Sequence, residues 1–149
     1  MKKTYSIKPA DITRSWYLLD ASTAPLGKVA AEAAKLLLGK GKPQFSAHID
    51  CGDYVIVTNT ADIVVTGKKL EQKRYYRHSG YPGGLSTRTL AEQLERDSTK
   101  VIYAAVRGML PNNKLLDERL KRLKIYSANE HTHAPQQPIE LKVSKGKLS

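Results

Sequence analysis

Between Trp16 and Thr58 the chain sets out an apolar run, a helix-periodic stretch and a second apolar run, and that order constrains its topology more than anything else in the sequence. Trp16-Tyr17-Leu18-Leu19-Asp20 reads as a buried strand. A short turn leads to Pro25, a residue suited to the first helical position because its φ is already helical and the N–H it lacks would have no partner there. From Leu26 to Leu38 only Lys28, Glu32 and Lys35 are charged, and their spacing of four and three puts them on one narrow stripe. Such a helix is buried around most of its circumference. Gly39 can end it in the left-handed conformation, and Lys40 complements the negative end of the helix dipole. Tyr54-Val55-Ile56-Val57-Thr58 and then Ile63-Val64-Val65 are rich in β-branched residues and read as strands covered on two faces. Strand, helix and strand in this order imply a right-handed crossover and a parallel sheet.

Beyond residue 88 the period becomes helical. Thr89-Leu90-Ala91-Glu92 has the form of a capping box, in which a threonine hydroxyl and a glutamate carboxylate each satisfy a free N–H. Asp97 or Ser98 can cap a further helix with Val101, Ile102, Ala105, Val106 and Met109 on one face, ended by Gly108 and Pro111. A third helix carries Leu116, Leu120 and Leu123 at i, i+4 and i+7, with Arg119, Lys121 and Arg122 expected outward, and Lys124-Ile125-Tyr126 reads as a short final strand. The segments at about 1–14 and 135–149 are basic, contain proline and lack periodicity, so they are expected to be arms that order on a partner. With 149 residues and 40% hydrophobic content, one core and one domain are expected.

The most chemically distinctive segment lies between these parts. Residues 66–84 hold five cations, Lys68, Lys69, Lys73, Arg74 and Arg77, against one acid, Glu71, and interleave them with Tyr75, Tyr76 and Tyr81. Cations grip phosphates, and tyrosine faces stack on bases or sugars. Gly80, Gly83 and Gly84 permit positive φ and close approach, with Pro82 stiffening the turn. An RNA-binding loop is the favoured reading, and a solvated basic hairpin is the alternative. The whole chain, with 25 Lys+Arg against 14 Asp+Glu and a formal net charge of +11, suits a polyanionic partner. No apolar run approaches the roughly 20 residues needed to span a membrane. Met1-Lys2-Lys3-Thr4-Tyr5-Ser6 has no apolar stretch behind it, so no signal peptide is expected. The single cysteine, Cys51, excludes an internal disulfide and suits a reducing compartment.

Other chemistries find little support. The first strand-to-helix turn, Ala21 to Gly27, has one glycine where a dinucleotide fold needs three, which argues against a nucleotide-using enzyme. Gly39-Lys40-Gly41-Lys42 follows a helix instead of opening one, and Pro43 stands where a phosphate-binding loop needs Ser or Thr. It reads as a basic turn on RNA backbone or as a plain solvated cap. His131 and His133 could supply two zinc ligands, with Cys51 a third, although nothing in the sequence brings them together. His48 and Cys51, three apart on an extended chain, face opposite ways, and Asp50 with Asp53 reads as a turn before a strand. No catalytic residue, cofactor or small-molecule substrate is expected.

Several motifs together resemble a family. His78-Ser79-Gly80-Tyr81-Pro82-Gly83-Gly84 after Thr66-Gly67-Lys68-Lys69 is similar to the L-thirteen family of bacterial large-subunit ribosomal proteins. So are Pro25-Leu26-Gly27, Lys42-Pro43, His48 with Asp50, Gly52-Asp53, Val106 to Pro111 and His131 to Pro138, in order along the chain. After Pro111 the pattern departs: Leu116 stands where a glycine is usual, and Asp117 and Glu118 replace basic positions. The resemblance implies a three-layer α/β/α fold around a four-stranded, mainly parallel sheet. It also implies no catalysis, large-subunit rRNA and neighbouring ribosomal proteins as partners, early assembly, and a place in the ribosome of the cytoplasm or of an organelle. An RNA-binding regulator acting on mRNA is the alternative that the same basic loop allows. The expected RNA contacts are Lys68, Lys69, Lys73, Arg74, Tyr75, Tyr76, Arg77, His78, Ser79, Gly80 and Tyr81, with Lys40, Lys42, Arg107, Lys114, Lys121 and Arg122 adding backbone contacts.

Overall fold

The structure is a computed structural model that describes residues 6–143; Met1 to Tyr5 and Ser144 to Ser149, the outer parts of both expected arms, lie outside the described residues. In chain order it contains β1 (Trp16–Asp20), α1 (Leu26–Leu38), β2 (Tyr54–Thr58), α2 (Lys69–Gln72), β3 (Arg74–His78), β4 (Leu85–Thr89), α3 (Leu90–Met109), α4 (Leu116–Lys121), β5 (Leu123–Ile125) and β6 (Ile139–Leu141). Four strands form one parallel sheet in the order β5-β2-β1-β6, flanked by helices, and β3 pairs with β4 as a separate antiparallel hairpin. The α/β class and the parallel sheet expected from the strand-helix-strand run are therefore present. Because successive strand side chains alternate, Leu19, Val55, Val57 and Leu123 share one face, where they pack with Val29, Ala33 and Leu37 of α1 and Val101, Ile102 and Val106 of α3. Gly39 caps α1 at φ 77, in the left-handed region.

Local expectations hold where short-range chemistry decides. Thr89 Oγ1 accepts from the Glu92 amide at 3.3 Å, and Glu92 Oε2 accepts from the Thr89 amide at 3.0 Å, completing the capping box. Asp97 breaks α3 with an extended backbone, and its Oδ1 accepts from the Thr99 amide at 3.1 Å, so it caps the second helical stretch as expected.

The differences come from distant partners. Ile63-Val64-Val65 is not a strand: Val64 makes a single bridge to Pro25, and its carbonyl accepts from the Leu26 amide at 3.0 Å. Asn59, at φ 56, and the 3-10 turn Thr60–Asp62 lead the chain away from the sheet, and β5 occupies the free edge of β2 instead. Leu123, expected on the third helix, opens β5, so that strand runs one residue earlier than Lys124-Ile125-Tyr126 suggests, and it is not the final one, since β6 follows it. The described parts of the expected arms are built into the fold. Ile7 and Val143 are buried, and Ile139–Leu141 pairs with β1.

The largest correction concerns charge. Arg119 and Arg122, expected outward, are buried, with Arg119 only 1% exposed. Arg122 donates to the Asp50 carboxylate, to the Asp53 carbonyl at 3.3 Å and to the Leu37 carbonyl at 3.3 Å. Arg119 Nε lies 3.7 Å from Asp50 Oδ1. Lys42, expected on RNA, places Nζ 2.7 Å from Asp53 Oδ1, 2.7 Å from the Thr13 carbonyl and 3.0 Å from the Cys51 carbonyl, which leaves it internally neutralised. A Cβ on Gly52 would lie 1.7 Å from the Leu37 carbonyl oxygen, so only glycine fits beneath the end of α1. Buried charges persist only when paired. Arg122 is fully hydrogen-bonded to this network, whereas Arg119 meets Asp50 only as an ion pair, and its Nε and Nη1 have no hydrogen-bond partner among the described residues.

Removing one partner of such a pair leaves the other buried and uncompensated. Arg122→Ala is expected to lower unfolding free energy by about 3–5 kcal/mol in urea titrations. Burial by itself would raise the Asp50 carboxyl, but the hydrogen bonds and charge of Arg122, with the Gly52 amide and Arg14, outweigh it and hold the pKa below the ordinary carboxylate value. A carboxylate depressed in the folded state contributes its stability above its unfolded pKa, near 3.9, and loses it as pH falls through the lower folded value. Wild-type stability should therefore drop in that acid range, and the Arg122→Ala protein should show a shallower drop.

Candidate nucleic-acid interface

The interface is built on the β3–β4 hairpin. Its register pairs Arg74 with Thr89, Tyr75 with Arg88, Tyr76 with Thr87, Arg77 with Ser86 and His78 with Leu85. Directly opposed residues share a face, so Arg74, Tyr76, His78, Leu85 and Thr87 lie on one side and Tyr75, Arg77, Ser86 and Arg88 on the other. The first side is open: Tyr76 is 67% exposed and Leu85 58%. Lys68, Lys69, Lys73, Arg74 and Arg77 are all exposed, and among the described residues none has a carboxylate within ion-pair distance.

The tip holds its shape through its own backbone. Ser79 N–H donates to the Gly84 carbonyl at 3.1 Å, Gly84 N–H to the Tyr81 carbonyl at 2.9 Å, and Gly80 N–H to His78 Nδ1 at 2.9 Å. Gly80 sits at φ 88 and Gly83 at φ 72, conformations that other residues adopt only with strain. A Cβ on Gly84 would meet Ser79 Oγ at 2.0 Å. The result is a tight turn that presents Tyr81, 76% exposed, at its apex.

The three tyrosines have different surroundings. Tyr76 and Tyr81 stand in solvent, whereas Tyr75 packs against the hydrophobic core with the Lys73 ammonium 5.5 Å from its ring centre. Burial pushes its phenol pKa up, and its hydroxyl has no hydrogen-bond partner among the described residues. Tyr75, grouped by the sequence with the stacking residues, is therefore held by its own domain. Arg88, across from Tyr75 and on the same face as Arg77, is a half-buried cation outside the expected contacts. The alternation on either side of Tyr81-Pro82-Gly83-Gly84 is the signal that could have revealed it, since it marks a hairpin.

Of the other expected contacts, Lys40, Arg107, Lys114 and Lys121 are exposed, while Lys42 and Arg122 belong to the buried charge network. His131 and His133 join an aromatic group instead of meeting Cys51, which is buried in the loop before β2. His133 lies 5.0 Å from Trp16, Trp16 stacks on Tyr54 at 4.2 Å, and Tyr126 is 6.3 Å from His131. Burial, with the charges of Lys124 and His131, lowers the His133 pKa. Among the described residues no three His, Cys, Asp or Glu side chains converge as a metal site.

These environments predict separable effects. Tyr75→Phe, which removes an unpartnered hydroxyl, should leave stability unchanged or raise it, and Tyr75→Ala should lower the melting temperature by several degrees. Tyr76→Ala and Tyr81→Ala should each stay within about 0.5 kcal/mol of wild type in urea titration. A large loss at either exposed position would place that ring in the core.

The sequence profile of the family described as Ribosomal protein L13 matches residues 14–132. The chain is 51% identical over 142 residues to the large ribosomal subunit protein uL13 of Chlorobium phaeobacteroides, covering 95% of each chain. It is 48% identical over 136 residues to uL13 of Kocuria rhizophila, covering 91% of this chain and 92% of the relative, and 48% over 143 residues to uL13 of Thermobifida fusca, covering 96% of each. With about half of the positions identical along nearly the whole length, and the profile spanning β1, β2 and β5 of the sheet, the hairpin and the buried charge network, the chain belongs to the ribosomal protein L13 family.

Proposed function

We propose that this chain is a structural constituent of the large ribosomal subunit, where it binds large-subunit rRNA and supports early assembly, without a reaction of its own. The observation that carries the reading is the hairpin with the short helix α2 before it: Lys68, Lys69, Lys73, Arg74 and Arg77 are exposed with no carboxylate partner among the described residues, and Tyr76 and Tyr81 stand clear of the core beside them. Phosphates supply the missing anions, and unpaired bases supply faces for the rings. His78, Ser79 and Gly80 shape the turn that presents Tyr81, and Arg88 adds a cation beyond those expected. Lys40, Arg107, Lys114 and Lys121 extend the contact to the RNA backbone, which positions the protein without reading sequence. Neighbouring large-subunit proteins are the remaining partners, and the uL13 names of the relatives support the same placement.

Sedimentation of cell lysate on a sucrose gradient tests the assignment. The chain should travel with large subunits in moderate salt; a free pool at every salt concentration would overturn it. Binding of the purified chain to large-subunit rRNA should weaken with salt. Replacing Lys68, Lys69, Lys73 and Arg74 by Ala should flatten log affinity against log salt by up to about 0.7–0.9 for each phosphate that is no longer neutralised, while thermal unfolding stays near wild type. Weaker binding with an unchanged slope would mean that these side chains do something other than neutralise phosphate.

A further inference from the structure

A groove of about 380 Å³ opens where the start of α1, the chain at Val64–Thr66, α2 and the last turns of α3 meet. Its floor is apolar, formed by Leu26, Val65, Leu90 and Ala105, while the Lys69 and Lys73 side chains line one rim; among the described residues no acidic side chain lines it. Two glycines, Gly27 of α1 and Gly108 of α3, open onto it. A Cβ at either would meet nothing within 4 Å, and neither has a positive φ. Glycine in a helix is less stable than alanine, so the domain's own packing gives no reason for these two residues. Close approach of something outside the domain does.

Resting on the rRNA-binding function above, we propose that the groove receives an unpaired nucleotide of large-subunit rRNA, its base flat between Gly27 and Gly108 and its flanking phosphates on Lys69 and Lys73. The charge of the rim selects this occupant. A neighbouring protein would have to bring acids to the lysines, whereas any RNA strand carries phosphates at every nucleotide. Lys73, which lines the groove, immediately precedes β3, so the groove's rim adjoins Arg74, the first cation of the hairpin. The floor supplies an apolar surface for a base face, and the two bare helix backbones allow the close approach that stacking needs.

The test uses the full chain and large-subunit rRNA carrying 4-thiouridine. Irradiation of the complex should crosslink peptides containing Val64–Thr66 and Ala104–Met109, as well as hairpin peptides. Gly108→Leu fills the groove with a strong helix former, so it should keep or raise the melting temperature while weakening rRNA affinity by about fivefold to a hundredfold. Gly108→Ala gives a milder filling if the leucine protein does not fold. Wild-type affinity in the folded variant, with crosslinks confined to the hairpin, overturns the groove assignment and leaves the hairpin function standing. Crosslinks from Lys69 or Lys73 to another ribosomal protein, made in assembled subunits with an amine-reactive reagent, also overturn it. Failure of the wild-type chain to bind rRNA at all overturns both.

Discussion

The contact between Arg122 and Asp50 holds together parts of the chain that no local rule joins. Asp50 comes from the long loop after α1, Leu37 from the end of that helix, Asp53 from the residue before β2, and Arg122 from the link between α4 and β5. Each guanidinium donor fixes one of these segments relative to the others. Arg14 adds the start of β1 through the Gly52 and Asp50 carbonyls, and Lys42 closes the loop on Asp53. In a low-dielectric interior such a network is strongly directional, because only a few geometries satisfy every donor. Placement of β5 beside β2, and with it the edge of the sheet, follows from that geometry.

This explains why parts of the molecule are legible in the sequence and others are not. Leu26–Leu38, the β2 run and the capping box at Thr89 are decided by period and neighbouring residues, so the sequence displays them. Arg122 is different. Its position on an amphipathic turn looks solvent-facing, and the carboxylate that draws it inward lies 72 residues earlier. Lys42 misleads in the same way, sitting in a glycine-rich basic turn while its partner, Asp53, lies beyond a stretch with no clear periodicity. β6 escapes a sequence reading because three residues around a glutamate carry too little alternation to outweigh the prolines before them. In the hairpin, composition locates the cationic and aromatic surface, but only strand register separates Tyr75 from Tyr76.

That separation shows how the fold divides its work. The hairpin is anchored at its base, where Tyr75 packs on the core, Leu90 is buried and the Leu90 amide donates to the Lys73 carbonyl at 2.9 Å. Everything beyond that base is stabilised by its own ladder and by the hydrogen bonds of its turn. Side chains on the outer part can therefore be chosen for a partner with little effect on the core. The buried arginines show the opposite case, in which cations of the same type are committed to the domain and withdrawn from any polyanion. Net charge counts both kinds equally, which is why +11 overstates the surface available for phosphate.

The first and last strands of the sheet are neighbours. β1 receives β2 on one edge early in the chain, but its other edge stays open until Ile139–Leu141 arrives, more than a hundred residues later. Parallel pairing across such a separation has a high contact order and is slow, because a long loop must be closed before its contacts form. The β3–β4 hairpin spans only residues 74–89 and needs no such closure. During synthesis its cations and tyrosines can take shape while β1 still lacks its second partner, β6. An RNA strand captured at that stage would hold the growing chain in place as its remaining strand is made, joining completion of the protein to its arrival on RNA.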